Sequence, residues 1–554
     1  MQLGISKSVS KKQKESALIM RKQTKIAAVV SAAALLALGA SMTSFAASKG
    51  TWMMVDGEWY CYDKNGDAYT NVFCSSNGKE YYVGDDGQLV RSEWVEYDGS
   101  YYFVNSSGAK ITNDWRLTTP YDDESADEEW YYFKSNGKRA EGEKITYKGK
   151  SYYFDSDGKM LTGWVTTGDS ASAVNEANGY EKDHTFYCDE TGARVEGAWV
   201  KDTKPGVTDD DADEDEYWYY LKKATGKPAT GKQSNLNGQI YLFNAEGQMQ
   251  HGWVAEDVAT SSNVKFYQLD EEDDEKEMKT AKGEVYYCGD EDDGHAKKNK
   301  WVKTWLPSDT NEEEDDKEWF WFDKEGKLFR AGYNTAAATA SNAWKYKLDE
   351  GTLVKDADKA ETIIGKKKVN SKDYWFRGDG VMLSKFYLIN DAMYYFGGSD
   401  DGSMKTGSQS IKDNAGDTYK FYFYTKDQSS EFKTPDGKHN LAKGAGVVGN
   451  QSNKLYWYGM QIQADDYKYQ VANIAVGPEN NQTVYSFIVN SNGTIQHSAS
   501  TEYKEDGDIL IKTGVKGDTK YQTKAQFKYA IDNTDSVDKR VSDVDLGKFF
   551  VPAE

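Results

Sequence analysis

Residues Ser151–Trp164 read Ser-Tyr-Tyr-Phe-Asp-Ser-Asp-Gly-Lys-Met-Leu-Thr-Gly-Trp. Tyr152, Tyr153 and Phe154 suit a pleated, half-buried surface, and Asp155, Ser156, Asp157 and Gly158 supply turn chemistry ending in a residue that accepts positive φ. The stretch predicts a β-hairpin in which Lys159, Met160 and Leu161 form a short return strand. Gly163 then lets the backbone turn into Trp164, which opens the next unit. A lone two-stranded hairpin is marginal in water, so this one must lean on neighbours.

Related pieces flank it: Trp59-Tyr-Cys-Tyr before Gly66, Tyr81-Tyr-Val before Gly87, Tyr101-Tyr-Phe before Gly108, Trp130-Tyr-Tyr-Phe before Gly137 and Trp218-Tyr-Tyr-Leu before Gly226. Gly66 to Gly87, Gly87 to Gly108, Gly137 to Gly158 and Gly226 to Gly247 are each 21 residues apart. A fixed period in this range signals a repeat architecture, each unit burying its aromatic face against the next. From Gly108 to Gly137 the interval is 29, and the excess lies between Trp115 and Trp130 in the acidic run Tyr121–Glu129. The same connection swells between Trp199 and Trp218 with Asp209–Glu216. Loops added at one point of a repeat project from one side of it.

The fold these signals predict is all-β: a β-hairpin solenoid of aromatic repeats of 21 residues, with acidic loop insertions and a small β-rich C-terminal cap. Lysines and arginines precede an apolar run from Ile26 to Ala40 and then Ser44-Phe45-Ala46, which fits a signal peptide over residues 1–46. Regular repeats are expected over 47–330 and degenerate ones over 331–460. A cap or small β domain is expected over 461–554, where Tyr485–Gly493 reads as one worn hairpin and Gln526–Ile531 as a strand. No membrane insertion is expected after signal cleavage, which leaves the mature chain secreted and associated with the cell surface.

The 554 residues carry a formal charge of −22. Residues 1–46 hold seven Lys or Arg and one Glu, so the remainder carries −28. That balance argues against nucleic acid and anionic membranes as partners. Acidic runs at Asp270–Glu277, Asp290–Asp293 and Glu312–Glu318 lack the spacing of a calcium-binding loop of the EF-hand type and read as solvated loops, available for protein partners. Cys61, Cys188 and Cys288 stand in slots that hold Tyr, Phe or Leu in other units, which points to buried thiols. Cys61 and Cys74 are the pair near enough in sequence to bridge adjacent strands.

No catalytic constellation emerges. His184, His251, His295, His439 and His497 are scattered, with no zinc spacing and no nucleophile elbow, and the carboxylates crowd in loops without an apolar pocket. The reading is a non-enzyme without cofactor or metal. Aromatic rings at regular intervals, in contrast, make platforms for sugar faces and cages for quaternary ammonium groups.

Gly158-Lys-Met-Leu-Thr-Gly-Trp164 and Gly247-Gln-Met-Gln-His-Gly-Trp253, each following an aromatic strand, resemble the cell-wall-binding repeats of Gram-positive surface proteins. Choline-binding modules, glucan-binding repeats and the repetitive tails of large clostridial toxins are similar. The resemblance spans roughly residues 50–460. It implies non-covalent attachment to cell-wall polymer, either teichoic acid choline or a glycan. In the choline-binding members it implies sites walled by a leading Trp, a strand Trp and an aromatic of the following hairpin. Those places are filled by Trp52, Trp59 and Tyr81; by Trp115, Trp130 and Tyr152; by Trp199, Trp218 and Tyr241; and by Trp305 with Trp319. Three alternatives stand beside it. The tryptophans could serve only to pin consecutive hairpins, the chain could be an adhesive surface protein with the repeats as a stalk, or a wall hydrolase could reside in 461–554.

Overall fold

A computed structural model describes residues 50–512 except 176, 208–214, 259–264, 271–277, 280–281, 308–315, 334–342, 357–360, 431, 465–467, 479, 498–501 and 506–507. The expected signal peptide, the strand at 526–531, the acidic run 271–277 and most of those at 209–216 and 312–318 lie outside the described residues. Among the described residues, regular structure is almost entirely antiparallel β. No helix there is long and apolar enough to cross a membrane.

The ladder of each repeat sits one step earlier than the sequence suggests. Lys144–Tyr147 pairs with Lys150–Tyr153, with Ile145 opposite Tyr152. The turn between them is Lys148-Gly149, at φ 47° and 79°. Two successive left-handed residues make the type I′ turn whose twist matches the strands. Asp56-Gly57, Asn77-Gly78 and Asp98-Gly99 repeat the arrangement. The predicted Gly158 hairpin is corrected accordingly: past that turn the chain forms a single bridge, Phe154 with Met160. The reason is where the return segment donates its hydrogen bonds. Leu161 N–H reaches its own hairpin at Tyr153 O (2.9 Å), but Met160 N–H reaches Trp130 O of the preceding hairpin (2.9 Å).

That second bond recurs as a rung between hairpins. The residue two places after most turn glycines donates to the aromatic strand one hairpin earlier: Leu89 to Trp59, Lys110 to Glu80, Arg139 to Tyr101, Arg194 to Ser151 and Met249 to Trp218, at 2.7–2.9 Å. Gly158 (φ 76°) shows why the turn needs glycine twice over. Its backbone is left-handed, and a Cβ there would lie 2.5 Å from Arg139 Cδ, the side chain of the preceding rung. Gly192 sits over Met160 in the same way.

The chain divides into two compact units, Met1–Gln233 with Leu242–Met249, and Ser234–Tyr241 with Gln250–Glu554. In the first, the buried residues form small separate clusters, such as Phe103, Tyr131 and Phe133, or Tyr132, Ala140 and Phe154. Acidic insertions fall inside hairpins, as between Asp114–Thr118 and Glu129–Phe133, and leave the ladder intact. In the second, rungs continue from Leu328 to Val285, Met382 to Trp319 and Met404 to Asp373. From Ala343 to Ile495 the hairpins merge around one large core. A four-stranded sheet runs Thr352–Lys355, Ala343–Asp349, Phe386–Ile389, Ala392–Tyr395, and a five-stranded sheet follows it in the chain.

All four cysteines are buried, as the reading of Cys61, Cys188 and Cys288 as small buried hydrophobes expects. Cys61 and Cys74 share a small apolar cluster with Val83. Burial pushes the Cys188 thiol up to about 12.

Candidate functional site: aromatic corners between hairpins

Several opening strands carry a large aromatic residue that packs against a tyrosine or phenylalanine of the following hairpin, in most cases edge-on. Trp52 meets Tyr81 (5.7 Å between centroids, 72°), Phe73 meets Tyr102 (5.1 Å, 65°), Trp94 meets Tyr131 (4.8 Å, 88°) and Trp115 meets Tyr152 (4.9 Å, 69°). In the second unit Trp253 meets Phe320 and Trp301 meets Tyr374. Perpendicular packing sets the positive edge of one ring on the negative face of the other. The pinning role considered for these tryptophans is therefore real, and it holds hairpin to hairpin.

The strand register adds the next wall. Trp115 lies opposite Tyr132 and Leu117 opposite Trp130, which sets the two indoles diagonally on one face. Their centroids are 6.4 Å apart at 82°. With Tyr152 they form a three-ring corner, against which Met160 is also packed. The rung bond from Met160 N–H to Trp130 O ties the two hairpins together at this corner. Burial, and secondarily the field of Asp189, raises the Tyr152 phenol, so it stays neutral at physiological pH. Trp199 and Trp218 repeat the geometry at 6.4 Å and 85°, with Lys201 Nζ 5.9 Å from the Trp218 ring. Tyr241 belongs to the second unit, where its ring lies 6.5 Å from His295. Trp52 and Trp59 share the same register, Trp52 opposite Cys61 and Met54 opposite Trp59.

The fourth couple differs from expectation. Trp305 follows the end of the strand Lys300–Thr304, and Lys317 Nζ stands 4.0 Å over its ring. The opening position is held by Trp301, opposite Trp321, while Lys303 lies opposite Trp319. Trp301 and Trp319 flank one buried cluster with Tyr374 and Met382. A signal for this was available: Asn299, left-handed at φ 50°, stands two residues before Trp301, as Asn113 does before Trp115 and Gly197 before Trp199. The sequence reading also passed over the rung residues, Leu89, Met160, Met249 and Met382, and the corner at Trp94. Among the described residues no group of three or more His, Cys, Asp or Glu side chains is placed to hold a metal ion.

Partly exposed aromatic corners thus recur from hairpin to hairpin, and two segments of the chain match known families. Residues 92–110 match the cell wall binding repeat family and residues 125–163 the choline-binding repeat family. Both matches fall on the hairpins described above, so these segments of the chain carry cell-wall-binding repeats. It is similar to glucosyltransferase-I of Streptococcus downei, at 27% identity over 473 residues that make up 74% of this chain and 27% of the relative. Glucosyltransferase-S of Streptococcus mutans is 32% identical over 202 residues, 36% of this chain and 12% of that one. The chain thus spans about a quarter of the length of the first of these relatives and less of the second. Choline-binding protein F of Streptococcus pneumoniae aligns over 71% of this chain and 98% of its own, at 18% identity and a TM-score of 0.30.

Proposed function

We propose that the protein holds cell-wall polymer non-covalently, by seating quaternary ammonium groups such as choline in its aromatic corners, and that it does so outside the cell without catalysing a reaction. The observation that carries this reading is the right angle between Trp115 and Trp130, closed by Tyr152. Rings that meet at 82° wall in a compact cation, whereas a sugar face needs one flat platform. Each ring contributes about 0.5–2 kcal/mol to a cation above it, so a corner is a weak site. Repetition at Trp52 with Trp59 and Tyr81, at Trp199 with Trp218, and at Trp301 with Trp319 turns weak sites into retention through effective concentration. The formal charge of −22 also favours a cationic headgroup over an anionic one.

The test is sedimentation of the full chain with choline-bearing cell walls, followed by elution. Choline is expected to release the protein and soluble glucan to leave it bound. Release by glucan alone, or no sedimentation, overturns the reading. Replacing Trp115 and Trp199 together by alanine should lower retention at least tenfold, provided circular dichroism still reports the β ladder.

A further inference from the structure

Two sets of junctions stand apart by the residue two places after the turn glycine, while the remaining rungs, such as Leu328 to Val285 and Met404 to Asp373, carry apolar residues without a strand tryptophan. Where both opening and strand positions are tryptophan, that residue is apolar: Leu89, Met160, Met249 and Met382, each donating its N–H to the strand tryptophan's carbonyl. Where the strand position is Glu80, Tyr101 or Ser151, the residue is a cation: Lys110, Arg139 or Arg194. Each cation turns into the aromatic rings beside it. Lys110 Nζ lies 5.0 Å from Phe73 and 5.4 Å from Tyr102, and it also pairs with Glu80. Arg194 Cζ lies 5.2 Å from Phe186, with a hydrogen bond to Tyr153 Oη at 3.1 Å.

The fullest case is Arg139. Its guanidinium carbon stands 4.4 Å from the Tyr101 ring, 5.4 Å from Trp94 and 5.9 Å from Tyr131. The side chain is 8% exposed and held by Nε donating to Glu141 Oε1 at 2.9 Å. Tyr121, from the acidic insertion, adds a ring 4.8 Å from Tyr101. The Tyr131 hydroxyl is buried without a hydrogen-bond partner, so this wall offers the site a ring and no polar anchor. Around Trp115 and Trp130, among the described residues, no Lys or Arg lies over either indole.

We propose that the corner of Trp94, Tyr101 and Tyr131 is a quaternary-ammonium site kept shut by the protein's own Arg139. A tethered guanidinium competes at an effective concentration of roughly millimolar or more, enough to exclude a free cation from so weak a site. Glu141 adds a charge-assisted hydrogen bond that a free quaternary ammonium, having no N–H, cannot make. The inference rests on reading the corners as cation sites, and the test separates the two.

Tetramethylammonium is titrated calorimetrically into the full chain, with 5-fluorotryptophan incorporated so that the Trp94 resonance, assigned through Trp94→Phe, reports its own corner. Arg139→Met, which installs the side chain found at 160 and 249, is expected to bind one equivalent more than the natural protein and to move the Trp94 signal. Arg139→Lys should leave the count unchanged. Should the natural protein bind none and Arg139→Met one, the shut corner stands and the proposed function falls. An equal count in both, with Trp94 silent, overturns the inference whatever the other corners do. If Arg139→Met does not fold, Glu141→Gln decides: with the clasp loosened, Trp94 should respond at several-fold lower tetramethylammonium than in the natural protein, and an unchanged response overturns the proposal.

Discussion

The hairpins at 51–154 and the hairpins at 343–495 use the same turns and rungs but bury their aromatics differently. In the first region each junction has its own cluster, and Trp115 touches Trp130, Tyr132, Tyr147, Tyr152 and Phe154 without reaching further. In the second, Phe421 packs between Phe386 and Phe423 inside a core shared from Ala343 to Ile495. Separate clusters leave indoles such as Trp115 and Trp130 partly exposed, while a shared core withdraws them. Trp457 is 4% exposed and serves packing. The difference teaches that one repeat law can yield either a row of partly exposed aromatic corners or a block of core, depending on whether hairpins meet pairwise or several at once.

The contrast breaks most sharply with Phe421→Ala. The residue is 1% exposed, and its loss is expected to cost about 3–5 kcal/mol. Amide exchange should accelerate together at Ala343–Asp349 and Tyr469–Val476, because both strands share that core. Protection lost in one strand alone would show that the core is not a single cooperative unit. Trp115→Ala, at a half-buried position, should cost about 3 kcal/mol or less. Its effect on exchange should stay within 114–154 and spare 343–495.

A third effect distinguishes the regions by pH. Burial pushes the Asp391 carboxyl up to about 6, against the hydrogen bonds it accepts from Tyr458 Oη (2.6 Å) and Asp436 N–H (2.8 Å). A carboxyl raised above its ordinary value of 3.8 stabilises the fold in its protonated form. That contribution is complete below about 4 and is lost as pH rises through about 6, by on the order of 2 kcal/mol. Denaturant titrations at pH 4.5 and 7.5 should show it in the 343–495 transition, and Asp391→Asn should flatten it. The smallest effect expected is Gly149→Ala, about 1 kcal/mol, since the left-handed turn is strained but a Cβ there meets nothing within 4 Å. Gly158→Ala should cost more because of Arg139 beneath it, and equal costs would show that turn strain alone dictates the glycine.

The period and the aromatic strands were legible because side-chain type carries them: Trp130-Tyr-Tyr-Phe and Tyr152-Tyr-Phe announce a pleated face wherever they stand. The rungs were not, because the bond from Met160 N–H to Trp130 O joins two backbones, and backbone pairing leaves no residue signature. The same gap placed the hairpin after Tyr153 instead of before it. Beyond Met460 the aromatic signal fades, yet the rung persists, with Gly493 at φ 69° and Ile495 N–H donating to Asn453 O at 2.9 Å. Of the corners, Trp115, Trp130 and Tyr152 were legible as a set, because fixed spacing in two consecutive hairpins sets their register. Trp301 was missed because Trp305, four residues on, offered a second indole and the opening position is marked only by Asn299.

One joint of the first unit departs from the rung rule. Two places after Gly226 stands Pro228, which has no N–H to give to the strand of the previous hairpin. A protein fastened to a wall carries load whenever fluid drags on what it holds, and backbone bonds between successive hairpins share that tension. The hairpins meeting at Pro228 share it with one bond fewer. Under pull, that seam is where this unit should yield first, letting out slack before the hairpins around Trp115 part.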